Sequence, residues 1–429
     1  RETRHVPDFR AGSCASIAHM LQIPAVAAAA ALLAIAPGWM LLYDATPKVS
    51  ILLGAAGIVV WSGRLLPGLR SLWPDPSGRC WLAGIALWFA GAAFSTALSP
   101  EPSLSLFGGL WRRQGLMTHA AILLLALAAA ALPPARWAAA RIWTLAGALA
   151  AAYGIAQYFG FDPWLPAGLY HEGDGGARIV RPPSTMGHAA YSAAALAVLG
   201  FAGVALAARD RGFWRAAGTA GFVLCVAAVV LSGARAGLIA LAAGGLYWWA
   251  AHRVRIRRRT LVALAAGIAI AVAAFVASPL GDRLRARWDY VSDDPLGGGR
   301  LRLWADSLSL VVAHPIAGHG PERFPVVFPQ VQSEALALAY PDLFYESPHN
   351  LLLEVAAERG VGGLVALLLV LVPAFRASWR RRGDPVVSWV GAGLTASVAA
   401  HFFTGFTPAN LALLLVLSAF AVSPDPPEG

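Results

Sequence analysis

Apolar runs of roughly 20 residues alternate with short polar stretches along most of the chain, the length a helix needs to cross the hydrocarbon of a bilayer. Twelve such runs lie near 21–43, 49–68, 80–98, 116–132, 138–159, 188–207, 216–232, 236–251, 260–277, 355–375, 386–403 and 408–423. In lipid only a helix or a closed barrel satisfies its own backbone, and the long uninterrupted runs select the helix. The pattern predicts an all-α polytopic membrane protein of about 12 transmembrane helices. The alternation fails in one place, between 278 and 350. That break divides the chain into an N-terminal bundle over 1–277, a large loop over 278–350 and C-terminal helices over 351–429. Inside the loop, DRLRARWDYVSDDPLGGGRLRLWADSLSLVVAHP reads as helix on both sides of a Gly-rich break. GHGPERFPVVFPQVQ reads as loop and short helix.

Composition supports this reading. The chain is 58% hydrophobic and 13% charged, with a mean hydropathy of +0.61, whereas a soluble domain carries about 25% charged residues. The net charge of +10 is almost all arginine, because Lys48 is the only lysine. That charge is spread over loops, which argues against nucleic-acid binding. Arginines crowd 209–215, 252–259 and 376–382. The positive-inside rule places those loops in the cytoplasm, with 64–79, 133–141 and both termini. The polar stretches 99–115, 161–187 and 278–350 then face outward. Cys14, Cys80 and Cys225 fall in none of them, so no structural disulfide is expected. Residues 1–19 lack the apolar core of a signal peptide and precede Met20. The native chain either starts at Met20 or the sequence is a fragment.

The candidate chemistry lies in the outward stretches. ESPHNLLLEVAAERGVGG, from Glu346 to Gly363, sets a polar cluster before an apolar helix. Ser347 suits an N-cap and Pro348 the first helical position, which would put His349 and Asn350 in the first turn. The positive end of a helix favours anions and opposes protonation of an imidazole. A neutral histidine beside an anion site is what a general base requires. The competing reading is a capped helix with an interfacial histidine. Glu354 and Glu358 follow Asn350 at four-residue steps on the same face, where they would pair with outward arginines or support the histidine. Arg235, in VVLSGARAGLIA, lies between two apolar runs, where a charge is costly and usually functional or paired. It could hold a lipid-linked phosphate or snorkel to ordinary headgroups. Arg300 follows three glycines at a predicted helix start and could hold phosphate, as could Arg302. Arg112, Arg113, Arg178 and Arg181 occupy the other outward loops, as does His188; these arginines would recognise sugar or phosphate, or pair with nearby acids. No H-E-x-x-H, paired cysteines or phosphate-binding Gly-Lys-Ser/Thr loop occurs, so no cofactor or metal is expected.

The pattern of His349, Asn350, nine residues through Arg359, then Gly360, two residues and the small Gly363 resembles that of the O-antigen ligase and polymerase superfamily. LSGARAG, GGGRLRLW and GHGPERF resemble further features of that superfamily, in the same order. The resemblance implies a GT-C-like, metal-independent, inverting glycosyltransferase of the bacterial inner membrane with a periplasmic active face. It implies an undecaprenyl-diphosphate-linked glycan donor and a lipid A-core, glycan or protein hydroxyl acceptor. On this reading His349 is the base, and Arg235 and Arg300 hold the diphosphate. Asn350, Glu354, Arg302, Arg112, Arg181 and Glu346 support the base or bind glycan. The chain departs from many relatives at GHAAY, where they carry Pro-Asn, which puts a role for His188 in doubt. The alternatives within the superfamily are polymerisation and O-oligosaccharide transfer to protein. From another class, the alternative is a transporter or flippase of lipid-linked glycan, which would place ionisable residues near mid-membrane.

Overall fold

The computed structural model describes residues 22–36, 45–63, 65–131, 136–166, 170–172, 179–252 and 299–424. The segment 260–277, residues 278–298, Arg178, Cys14 and both chain ends lie outside the described residues. Ordered along the chain, the helices are α1 (Ile23–Leu33), α2 (Thr46–Trp61), α3 (Leu65–Leu69), α4 (Pro76–Leu98), α5 (Pro102–Phe107), α6 (Leu116–Ala131), α7 (Arg136–Tyr158), α8 (Ala189–Arg209), α9 (Gly212–Ser232) and α10 (Arg235–His252). After the Gly-rich break come α11 (Arg300–Ala313), α12 (Phe324–Val327), α13 (Glu334–Ala339), α14 (Leu351–Arg380), α15 (Pro385–His401) and α16 (Pro408–Val422). A two-residue antiparallel ladder, His171–Glu172 on Ile179–Val180, is the only sheet among the described residues.

Each apolar run outside 260–277 falls on one of these helices. The chain is an all-helical, multi-pass membrane protein. By length and composition, α4, α7, α8, α9 and α14 can each cross a membrane, and a sixth span forms if α2 and the following turn through Leu72 act as one broken helix. Eleven of the twelve expected runs thus coincide in position with described helices, several of them shorter than a full crossing, and the twelfth, 260–277, lies outside the described residues. Asp-Pro and Thr-Pro pairs start the helices sharply. Asp75, Asp384 and Thr407 accept from the first-turn N–H groups of α4, α15 and α16, and a proline follows each.

Helices α8 and α16 form the centre. Every residue of α16 is buried, and it packs on α6, α14, α15 and α1. Helix α8 packs on α7, α9, α10 and α15. Small residues allow the close approaches: a Cβ on Gly203 or Gly218 would lie within 2.7 Å of the other's carbonyl oxygen, and one on Gly84 would run into the backbone of Leu369. Large apolar side chains left exposed on α4, α9 and α14, among them Phe94, Val223 and Leu368, lie on the outer surface of the bundle. The sole lysine is internal. Lys48 Nζ lies 2.7–3.3 Å from the carbonyls of Ala31, Leu32, Ala34 and Thr185. It closes the C-terminal end of α1 and ties it to the loop before α8.

Candidate functional site

The loops 99–115, 179–188, 299–350 and 402–407 meet at one end of the bundle. The turn before α14 lies at their centre. Asn350, not Ser347, is the N-cap: its Oδ1 accepts from Leu352 N at 3.0 Å and Leu353 N at 3.2 Å. His349 and Asn350 therefore precede the helix rather than forming its first turn. The carboxamide of asparagine caps as well as serine. Ser347 Oγ instead accepts from His349 N at 3.2 Å and lies 3.3 Å from His349 Nδ1. That bond holds His349 at φ 50°, a left-handed conformation histidine adopts more readily than most residues. Trp304 Nε1 donates to Pro348 O at 2.9 Å, which fastens α11 to the same turn.

Eleven residues along, α14 is interrupted. Gly360 has φ 63° and ψ −163°, a conformation essentially confined to glycine, and a Cβ there would clash with Ile316 O. The segment Pro315–Gly320 fills the break. His319 N and Gly320 N donate to Ala357 O and Glu358 O, each at 2.9 Å, and Val361 N donates to Pro315 O at 2.8 Å. Ser95 Oγ of α4 lies 2.6 Å from Glu358 O. The Gly318 stretch and the Gly360 stretch thus form one interlocked unit. Gly360 is therefore a break in the helix.

Arg112 holds the far side of the turn. Its guanidinium donates to Glu346 O at 2.6 Å, forms an ion pair with Glu354 and lies 3.6 Å from Glu322 Oε1. Glu322 Oε2 accepts from Gly109 N at 3.0 Å, and Glu358 Oε1 accepts from Glu322 N at 3.0 Å. Burial opposes the charge on Arg112, but the surrounding glutamates outweigh it and hold the guanidinium well above its ordinary pKa. Burial pushes the Glu322 carboxyl up, and Arg112 counters it. Arg112, Glu346 and Glu354 therefore brace the turn from within. Arg112, buried on three protein partners, is not placed to grip glycan.

Three positively charged or polar groups face His349. Burial first, then Arg300, His188 and Arg112, lower its pKa to about 3. His188 is lowered to about 4 by burial, Arg181 and Arg300. Both imidazoles are hemmed in by protein yet reachable, His188 being exposed and His349 half-buried. Arg300 opens α11 directly after Gly299 at φ 62°, where a Cβ would meet the Tyr340 ring. Arg302 points elsewhere: it is exposed and its Nη1 donates to Ala335 O at 3.0 Å. Arg113 Nε donates to Thr46 Oγ1 at 3.2 Å. Arg235, half-buried, opens α10. Gly237 approaches Ala193 and Gly244 approaches Phe201, so α8 and α10 run parallel and Arg235 stands near the level of Tyr191. Arg235 is not among the groups that act on either imidazole. Among the described residues no group of three or more histidine, cysteine or acidic side chains could hold a metal ion.

Sequence reasoning undervalued His188 and passed over Trp304 and the loop 402–407. The signal for His188 was local: a polar residue directly before an Ala-rich helix is an N-cap. Gly405 packs so closely that a Cβ would lie 2.6 Å from Ser347 Oγ, and Gln114 Nε2 donates to Phe406 O at 2.6 Å. No spacing along the chain announces either contact.

Residues 220–368, which include Arg235, Arg300, the Gly318 stretch, His349 and Gly360, match the family model described as O-antigen ligase. Over this stretch the chain is similar to the O-antigen ligase family. An O-antigen ligase of Pseudomonas aeruginosa is 28% identical over 213 residues, covering 46% of this chain and 47% of that protein. A Haemophilus influenzae protein described as uncharacterized is 29% identical over 170 residues, covering 36% of this chain and 42% of that one. The chain thus spans less than half the length of these curated relatives. Arg112, Arg181 and His188 lie outside the stretch that carries the family match.

Proposed function

We propose that the protein is a glycosyltransferase that moves an oligo- or polysaccharide from undecaprenyl diphosphate to an acceptor hydroxyl, most simply an O-antigen ligase acting on lipid A-core. The observation that carries this reading is a neutral, reachable His349 set against Arg300, within the stretch that is similar to the O-antigen ligase family. His349 takes the proton of the acceptor hydroxyl as that oxygen attacks the anomeric carbon. The bond from that carbon to the diphosphate oxygen breaks, its electron pair leaves with the diphosphate, and in-line attack inverts the centre. Arg300 and Arg235 hold the diphosphate, whose charge grows along the reaction. The imidazolium formed on His349 lies beside Arg300 and His188 and so sheds its proton readily to the departing diphosphate or to solvent. The carrier supplies the driving force and no nucleotide is consumed.

The loop end of the bundle is on this proposal the periplasmic face of the inner membrane, in a GT-C-like arrangement of twelve helices with both termini in the cytoplasm. The charge alternation along the sequence supports that orientation. The test is deletion of the gene in its host with complementation by the wild type and by His349→Ala. Free lipid A-core with accumulated long carrier-linked chains in both the deletion and the His349→Ala strain is the expected result. A single repeat unit on the core would make the protein a polymerase, and loss of a glycoprotein would make it a protein transferase. Full complementation by His349→Ala would overturn the mechanism.

A further inference from the structure

His188 is the N-cap of α8: its Nδ1 accepts from Ala190 N at 3.2 Å. A neutral imidazole has one acceptor nitrogen and one N–H. Since Nδ1 is the acceptor, Nε2 carries the proton. The ring is fixed by Tyr191, whose centroid lies 4.9 Å away at 50°. The imidazole is exposed to the space in which Arg181, Arg300 and His349 also act on it or on one another. The two histidines therefore differ in kind. The backbone geometry that caps α8 leaves His188 with no free ring nitrogen to accept a proton. It can only donate, next to the free N–H groups of a helix start and close to two guanidiniums.

We infer that His188 is a binding residue for the leaving group: its Nε2–H donates to an oxygen of the carrier diphosphate, alongside Arg181 and Arg300. This rests on the proposed transfer from a lipid diphosphate and adds to it a division of labour. His349 removes a proton on the acceptor side, while His188 stabilises charge on the donor side without changing its own protonation. A neutral donor suits this place, because a cation would have to form against two arginines, and the N-cap bond holds the N–H aimed before substrate arrives.

The test separates capping from donation. Serine caps α8 without charge but is too short to reach where Nε2 lies, and asparagine both caps and offers an amide N–H. The full chain is measured in nanodiscs for binding of undecaprenyl diphosphate and of inorganic pyrophosphate, alongside its melting temperature. His188→Ser is expected to melt like the wild type and to bind both diphosphates roughly tenfold more weakly, with His188→Asn recovering part of the loss. Nitrogen-15 spectra of the resting protein are expected to show His188 protonated at Nε2. Wild-type affinity in His188→Ser, or an Nδ1-protonated His188, would overturn this inference and leave the transfer reaction standing. A wild-type chain that binds neither diphosphate would overturn both.

Discussion

The two ends of the bundle use arginine differently. At the end away from His349, Arg136 donates to the carbonyls of Phe420 and Ser423, and Arg381 donates to Ser423 O and Ala421 O. Both close the C-terminal end of α16, where the helix dipole favours a cation. Arg141 there pairs with Asp210 and lies over the Trp214 ring. At the His349 end, Arg112 meets carboxylates and Arg181 and Arg300 act on imidazoles. The lesson is that arginine abundance does not mark the chemistry of this chain. What the guanidinium faces distinguishes its role: a carbonyl makes it a cap, a carboxylate makes it a brace, and a reachable neutral imidazole sets Arg181 and Arg300 in the proposed site.

This contrast can be tested from its strongest consequence downwards. On the proposed mechanism, in which His349 is the base, His349→Ala should lower transfer by about 10²–10⁴-fold with an unchanged melting temperature. Near-normal turnover in a purified assay would place the chemistry elsewhere. Arg300→Ala should cost roughly 10²-fold in turnover, while Arg302→Ala, two residues away but bound to a carbonyl outside the site, should stay within about twofold. Equal losses in the two would erase the distinction drawn between them. Arg112→Ala leaves Glu354 and Glu322 buried without their partner. A loss of about 3–5 kcal/mol should appear as a large fall in melting temperature, and Arg112→Lys should not restore it, because a compact ammonium does not reproduce the planar fork that spans Glu346 O, Glu354 and Glu322. At the other end, Arg381→Ala should cost only about 1 kcal/mol and leave turnover alone.

Acidity offers a separate check. A base with a pKa near 3 stays unprotonated throughout about pH 5–8, so transfer should show no acid limb from His349 in that range. A limb there that disappears in a histidine variant would contradict the neutral site. Stability carries the opposite signature. His349 and His188 have folded pKa values of about 3 and 4, below the ordinary value of about 6.5. The unfolded chain therefore binds more protons in between, and stability rises with pH there. Their contribution is complete above about pH 6.5 and is lost as the pH falls through the folded values; His188→Asn should flatten that part of the stability curve.

Much of this was legible in the sequence, because apolar period and helix-start residues act locally. The apolar runs located the described spans, and the turn around His349 stood out as a polar cluster before a membrane helix. The cap itself was misplaced by three residues, since Ser347 and Asn350 are both good caps and only the three-dimensional contact decides between them. The roles of the arginines were not legible. Arg112 and Glu354 are 242 positions apart, and no local rule joins them. Arg300 and Arg302 look interchangeable on paper, but the turn at Gly299 aims one toward His349 and leaves the other outside. His188 carried a readable N-cap signal, yet Arg300 of α11 and His349 of the turn before α14 lie more than a hundred residues along the chain, so its setting was invisible.

The break at Gly360 has a consequence for how substrate reaches the site. The segment Pro315–Gly320 acts as a splice in α14: it supplies the donors and the acceptor that the interrupted helix lacks. Lifting that segment away would leave the buried carbonyls of Ala357 and Glu358 and the N–H of Val361 without these partners, at the cost of buried unpaired backbone groups. This part of the large loop is therefore fixed masonry, not a door. On the proposed function, substrate bound for His349 would pass around it, along routes that keep the splice closed.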